Sequence, residues 1–542
     1  MDVRISLLVL LLLNSLQAQG DKNCVPRNYG SDSVVCVCDA HYCDLPGPVT
    51  LPDPGHYTVV TSSREGHRFL TETHELQDSP DQGSALLRVL VEEPGQTMLG
   101  FGGAFTDSAG INIATLSAPA QDLLMRSYFG PDGVEYDLCR VPIAGTDFSV
   151  RPYSYADLVE DDLLLESFAL ADEDKLYKLP LIQRAQELSE RSLRIFASPW
   201  APPAWMKTNR KLNESGELLP EMWQPWSNYL LKFVKTYEAE GVKLWGLTTQ
   251  NHAGGEEPIK WNSLYWKSEN MRDWIKESLG PTLEAAGLGR LKVMVGDENR
   301  DALLWYVPEI LSDEDAARYI DGVAVHWYTD LGHGPQLLDQ THERFPHKFI
   351  LYTEACIVPG LMMWNDPGSE AVVLGSWSRA ENYAISIIQV VNHHGSGWVN
   401  WNIALNLAGG PNWAGNLVDA PIIINEEADE FYKQPMFYVM GHFSKFVVAG
   451  SRMLPSSIEE LDSHQVHTAA FLRPDGPIVI VLLNTGEAEL DLSVDVASEG
   501  YATLHLPAKT IQTVIIAGDH QQAKSHSKTK FTKTQSSDDD RS

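Results

Sequence analysis

Positive charge is what this 542-residue sequence has least of: 41 Lys and Arg stand against 73 Asp and Glu, a formal net charge of −32 at pH 7. Gripping a phosphate backbone needs a basic face, so no nucleic-acid partner is expected. The carboxylate excess repels itself at neutral pH and is partly relieved in an acidic compartment. Long apolar runs are also scarce. Past the opening residues no stretch offers 18 consecutive apolar residues, so no membrane-spanning helix is expected. A glycine-rich phosphate loop is missing too: "GFGGAF" lacks the required spacing and reads as a tight turn. There is no solenoid-type repeat, and neither a metal nor a cofactor is expected.

Cysteine is sparse and unevenly placed. Of six, Cys24, Cys36, Cys38 and Cys43 crowd near the start, while Cys139 and Cys356 stand alone. The opening "MDVRISLLVLLLLNSLQAQG" has a basic residue, a short apolar run and small residues after it, which is the pattern of a secretory signal peptide over 1–20. In an oxidising compartment the four clustered cysteines read as two disulfides with three possible connectivities. Cys36 and Cys38 are too close to favour a mutual bridge, which favours Cys24–Cys36 with Cys38–Cys43; a zinc site is the rival reading. Asn213-Glu214-Ser215 is a glycosylation sequon in a polar stretch.

What the sequence has in plenty is flat apolar side chains, with 15 Trp and 19 Tyr, and a regular alternation of short apolar runs with amphipathic stretches. The runs are "TMLGFGGAFTD", "LCRVPIAGTDF", "LRIFASPW", "KLWGLTTQN", "LKVMVGDEN", "IDGVAVHWY", "KFILYTEA" and "GWVNWNIAL"; "PLIQRAQELSERS" and "NYLLKFVKTYEAEG" are among the helical stretches between them. Eight such units predict an α/β fold, a (β/α)8 TIM barrel, whose buried strands point their C-terminal ends at one rim. A doubly wound sheet is the alternative. The runs end on Asp107, Asp147, Trp200, Asn251, Asp297 with Glu298, His326 with Tyr328, Glu354, and Trp401 with Asn402. Gathered on one rim, these make a polar cleft walled by rings, suited to a sugar's hydroxyls and its apolar face. The alternating runs near both chain ends predict a β-sandwich flanking the barrel. The expected division is an N-terminal disulfide-bearing β segment at 21–96, the barrel at 97–429, sandwich strands at 430–519 and a disordered tail at 520–542.

"GFGGAFTDSAGINI", "ASPWAPPAWMKTN", "AVHWY", "TEAC", "WNIALNLAGGPNW" and "FYKQPMFYVMGHFSKF", in this order, closely resemble the glucosylceramidase (lysosomal acid β-glucosidase, glucocerebrosidase) family. The likeness covers nearly all of the chain after the leader. It implies a retaining β-glucosidase that takes glucose from glucosylceramide at a membrane surface in the lysosome lumen, with a saposin-type activator and a receptor for lysosomal delivery. By this resemblance Glu354 matches the nucleophile and Asp147 the aspartate that holds glucose hydroxyls. Trp200, Asn251 and Trp401 match further sugar contacts, His326 and Tyr328 the neighbours of the nucleophile, and Asn416 an asparagine at the cleft mouth.

One stretch departs from the pattern. In "TTQNHAGGEEP" the family has an acid/base Glu directly after the Asn, and here His252 stands there instead. Retaining hydrolysis uses two carboxyl groups about 5–5.5 Å apart, one attacking and one protonating the leaving oxygen. Three readings are open. Glu257-Pro258 reproduces a displaced acid/base, His252 donates the proton in an acidic lumen, or the chain lacks the group and binds glucosides or a trafficking partner with little turnover.

Overall fold

A computed structural model describes residues 23–255, 259–361, 364, 368–459, 465–496 and 499–518. The expected leader, the tail and Glu257 lie outside these residues. The chain forms two compact units. One runs up to Val49 and takes in Ser62–Phe69 and Leu99–Ala449; the other takes in Thr50–Thr61, Leu70–Met98 and the chain from Gly450 onward.

The first unit is built on a closed barrel of eight parallel strands. These are β1 Gly100–Ala104, β2 Leu138–Ile143, β3 Arg194–Pro199, β4 Gly246–Thr248, β5 Lys292–Asn299, β6 Gly322–His326, β7 Phe349–Glu354 and β8 Gly395–Asn402. The first seven fall within the apolar runs, and β8 starts two residues before its run. Parallel strands are covered on both faces, so they read as continuous apolar stretches rather than as alternating ones. Inside the barrel, Leu138, Phe196, Met294, Ala324, Leu351 and Val399 pack into one buried layer. The amphipathic stretches became the helices Leu179–Leu188 and Trp223–Ala239, each with one buried face.

"GFGGAF" is not the tight turn expected of it, since Gly100–Ala104 is β1 itself. Its glycines answer to close packing across the barrel: a Cβ on Gly102 would stand 2.0 Å from the Leu138 carbonyl oxygen.

The disulfides are Cys24–Cys36 and Cys38–Cys43, and Cys139 and Cys356 are free and buried. The segment that carries them belongs with the barrel, not with the sandwich. Val35–Asp39 pairs antiparallel with Glu430–Lys433, placing Cys38 opposite Phe431 and Cys36 opposite Lys433. The expected boundary at 429–430 therefore moves to 449–450. The wholly buried helix Pro435–Ser444 packs against helix Trp377–Asn392 of the first unit and cannot leave it without exposing its whole apolar surface.

The second unit is a sandwich built from both chain ends. Its larger sheet places His56–Ser63 beside Thr510–Ile516, and its smaller sheet places Ala85–Val89 between Ser456–Glu459 and Leu490–Asp495. Leu492 and Val494, like Ala502, Leu504 and Leu506, enter its core at every second position, as strands with one buried face require.

Candidate active site

Arg140 organises the rim. It lies on β2 amid apolar neighbours and is fully buried, so each guanidinium nitrogen needs a partner. Nε donates to Ser198 Oγ (3.0 Å), and Nη2 donates to Asn251 Oδ1 (2.8 Å) and Asp297 Oδ2 (2.6 Å). Nη1 donates to Glu354 Oε2. The guanidinium also lies over the rings of Trp200 and Trp401, 4.7 and 5.3 Å from their centroids. One cation thus ties together the ends of β2, β3, β5 and β7 and the turn after β4.

Glu354, the last residue of β7, keeps its charge in this setting. Burial pushes its carboxyl pKa up, but the charges of His326, Arg140 and His252 and a hydrogen bond from the Tyr328 hydroxyl (2.8 Å) outweigh it and hold the pKa below the usual value. An ionised carboxylate at the bottom of a cleft is a competent nucleophile.

The cleft above it has a volume of about 240 Å³. Trp200 and Trp401 stack on one wall with ring centroids 5.2 Å apart. Asp147 accepts hydrogen bonds from Asn416 Nδ2 (2.9 Å) and Asn412 Nδ2 (3.1 Å). Burial lifts the Asp147 pKa to about 6, helped by the Glu354 charge and opposed by the two amides. Asn251, His252 and Tyr328 complete the polar lining, and Phe148 and Trp261 add apolar surface.

The turn after β4 is arranged differently. His252 takes a left-handed backbone conformation (φ 48°), its N–H donating to the Asp297 carbonyl (3.0 Å). Its Nδ1 meets Glu298 Oε1 at 2.7 Å and its Nε2 meets His326 Nδ1 at 3.0 Å. His326 Nε2 in turn meets Asp297 Oδ1 at 3.0 Å. Successive residues of a regular strand point to opposite faces, yet Asp297 and Glu298 each reach one of these rings. A β-bulge makes this possible: the register with β6 shifts between Gly296 and Glu298, with Gly296 and Asp297 both at positive φ. Gly296 is needed there, because a Cβ would stand 2.6 Å from the Ala324 carbonyl oxygen.

Burial would lower the His252 pKa, but Glu298, Glu354 and Asp297 raise it to about 9. Burial would likewise raise Glu298, and the His252 charge draws it down to about 2. This is a persistent imidazolium–carboxylate pair. Among the described residues, the turn after β4 puts no carboxyl group into the cleft.

The structure therefore brings together Glu354, His252, Asp147, Trp200, Asn251, His326, Tyr328, Trp401 and Asn416. Asp297, Glu298 and His326 stand behind the cleft lining, and two further strand-end residues take no part in it. Asp107 is buried against Ser149, Tyr153 and Lys178, and Asn402 accepts a hydrogen bond from Thr106. Arg140 is the functional residue that the sequence reading missed, although a lone Arg inside the apolar run "LCRVPI" was a signal that a buried partner awaited it.

Comparison with known proteins decides the family. Residues 98–447 match the glycosyl hydrolase family 30 TIM-barrel domain, and 450–514 match the beta sandwich domain of the same family. The chain belongs to glycosyl hydrolase family 30. Within it, the chain is 40% identical over 505 residues to the lysosomal acid glucosylceramidase of Mus musculus, covering 92% of this chain and 96% of that one. Among solved structures it is similar to SrfJ from Salmonella typhimurium (28% identity, TM-score 0.78, 86% of this chain and all of the other). It is also similar to the endo-β1,6-glucanase BT3312 (25% identity, TM-score 0.75, 85% and 99%). This family 30 glycoside hydrolase is thus glucosylceramidase-like in sequence and barrel-plus-sandwich in fold.

Proposed function

We propose that this chain is a retaining β-glucosidase of glucosylceramide-class lipids whose nucleophilic half is complete and whose proton-transfer half is weak. The observation that carries the reading is the contrast at the rim. Glu354 is held ionised by Arg140 and Tyr328 beneath a ring-walled cleft, while the turn after β4 offers His252 locked to Glu298.

In the first step a Glu354 oxygen attacks the anomeric carbon, and the bond to the leaving oxygen breaks. Asp147 and Asn251 are placed to hold sugar hydroxyls, and Trp200 and Trp401 to meet the apolar face. A lipid alkoxide is a poor leaving group and needs a proton. His252 carries one, and its ring nitrogen lies within 4.8 Å of a Glu354 oxygen, but Nε2 faces His326 Nδ1 rather than open space. In the second step water must lose a proton. An imidazolium with a pKa of about 9 has no lone pair with which to accept it below neutral pH. Both steps should therefore lack much of the usual ~10²–10⁴-fold help from general acid–base catalysis.

The same reading places the protein in the secretory pathway and the lysosome lumen, glycosylated at Asn213, with a saposin-type activator and a delivery receptor as partners. The similarity to the lysosomal mouse enzyme and the leader-like start support it. The loop after Asp147, which exposes Val150, Leu158, Val159, Leu163 and Leu164, supports contact with a lipid surface. No helix among the described residues is long and apolar enough to cross a membrane.

The test is to incubate the protein with a 2-fluoro glucoside bearing a dinitrophenolate leaving group and to map the product by mass spectrometry. A glucosyl adduct on the peptide containing Glu354 is expected. An unmodified Glu354, or an adduct elsewhere, would refute the assignment.

A further inference from the structure

His252 and His326 meet nitrogen to nitrogen, their rings nearly perpendicular. Their facing nitrogens, Nε2 and Nδ1, stand 3.0 Å apart, and His326 Nδ1 is 3.9 Å from Glu354 Oε1. One nitrogen of each ring and one Glu354 oxygen lie within 4.8 Å of one another. Two ligand atoms bound tetrahedrally to one zinc ion at ordinary bond lengths stand about 3.3 Å apart, so an ion is admitted when the rings part slightly and Glu354 closes on them by about half an ångström or more.

The groups behind the rings make the same point. A metal-bound His usually donates its other ring N–H to a carboxylate, which fixes its orientation. Here both do: His252 Nδ1 is held by Glu298 and His326 Nε2 by Asp297. Those carboxylates are themselves held. Glu298 accepts from the Asn299 backbone N–H (2.9 Å), and Asp297 accepts from Thr353 (2.7 Å), Thr248 (2.7 Å) and Arg140. The β5 bulge is what delivers both carboxylates, one to each ring.

We propose that His252 Nε2, His326 Nδ1 and Glu354 Oε1 form a three-ligand site for a zinc-class divalent ion, with its fourth position open to the cleft. Two imidazoles and one carboxylate suit zinc over magnesium or calcium. Oε1 has a lone pair left after accepting from Tyr328. Once the His252 Nε2 proton has left, Asp297, Glu298 and Glu354 against Arg140 leave the site two charges negative, which an entering dication balances. Coordination displaces the proton shared between the two rings into solvent, and nothing is oxidised or reduced. An ion bound through Glu354 also occupies the nucleophile, so zinc should exclude glucosides. That consequence rests on the function proposed above; the binding itself does not.

The experiment uses the full chain with Co²⁺ and Zn²⁺ and no substrate. Co²⁺ should give the intense visible absorption of a tetrahedral centre, and Zn²⁺ should abolish it by displacement. His252→Gln should lose the signal while keeping the wild-type circular dichroism, with a lower Tm because Glu298 loses its charge partner. Glu298→Gln, which keeps all three ligands, should bind ~10–100-fold more weakly. The absence of a tetrahedral signal in the wild type, or an equal signal in His252→Gln, would overturn the site. Zinc should also block labelling of Glu354 by the fluoroglucoside. Labelling that proceeds at saturating zinc would remove Glu354 from the ligand set. If Glu354 is never labelled, even without zinc, the functional reading fails, and the Co²⁺ spectrum still judges the metal site.

Discussion

The ends of β7 and β4 face the same cleft and have been treated in opposite ways. At β7, Glu354 sits among cations and a phenol that keep it anionic and free to attack. At β4, the side chain that faces it is cationic and committed to a carboxylate behind it. A retaining site needs two acids whose environments push their pKa values apart; on the proposed function, a cation stands in place of one of them. On the reading proposed above, the barrel keeps the sugar-holding and attacking parts of a glycosidase while His252, held by Glu298, stands where its proton-transfer group would act.

The largest expected effect comes from making the two ends alike. His252→Glu places a carboxyl in the turn after β4, and glucosylceramide turnover should rise by ~10²–10⁴-fold. A rate unchanged from the wild type would mean that proton transfer does not limit the enzyme. Breaking the β7 side should be comparably costly in stability. Arg140→Met strands Asp297 and Glu354 in the interior, and unfolding in denaturant should show a loss of about 3–5 kcal/mol. A loss under about 1 kcal/mol would show that Arg140 does not hold the two carboxylates.

A smaller effect separates Asp147 from both ends. Its pKa is raised from 3.8 to about 6, so the protonated form is favoured by folding. That contribution is fully present below pH 3.8 and is lost as pH rises through about 6, up to about 3 kcal/mol in all. The Tm of Asp147→Asn relative to wild type should therefore climb between pH 4 and pH 7. A difference that stays flat over that range would place the Asp147 pKa near its ordinary value.

The barrel strands were legible because each is buried on both faces and so spells out a continuous apolar run. The disulfide pairs and the two-ended sandwich were legible from spacing and alternation. What was hidden depends on neighbours far away in sequence. The glycines of β1 read as a turn because nothing local reveals that the Leu138 backbone will press against them. The 429–430 boundary missed because Glu430–Lys433 looks like any other strand until Val35–Asp39 pairs with it. The change at His252 was visible, but its partner was not: Glu298 reaches it only through a bulge whose register belongs to β6.

The central claim is that glucosylation of Glu354 is intact and proton transfer is not, and leaving-group dependence tests it most directly. Pre-steady-state kinetics with dinitrophenyl β-glucoside, which needs no acid, should show a fast burst that Glu354→Gln abolishes. Slow turnover should follow, speeded by azide, which needs no base and leaves as β-glucosyl azide. Glucosylceramide under the same conditions should turn over very slowly. Fast, azide-insensitive turnover of the lipid that collapses in Glu257→Gln would contradict the account, because Glu257 would then supply the proton that the cleft is claimed to lack.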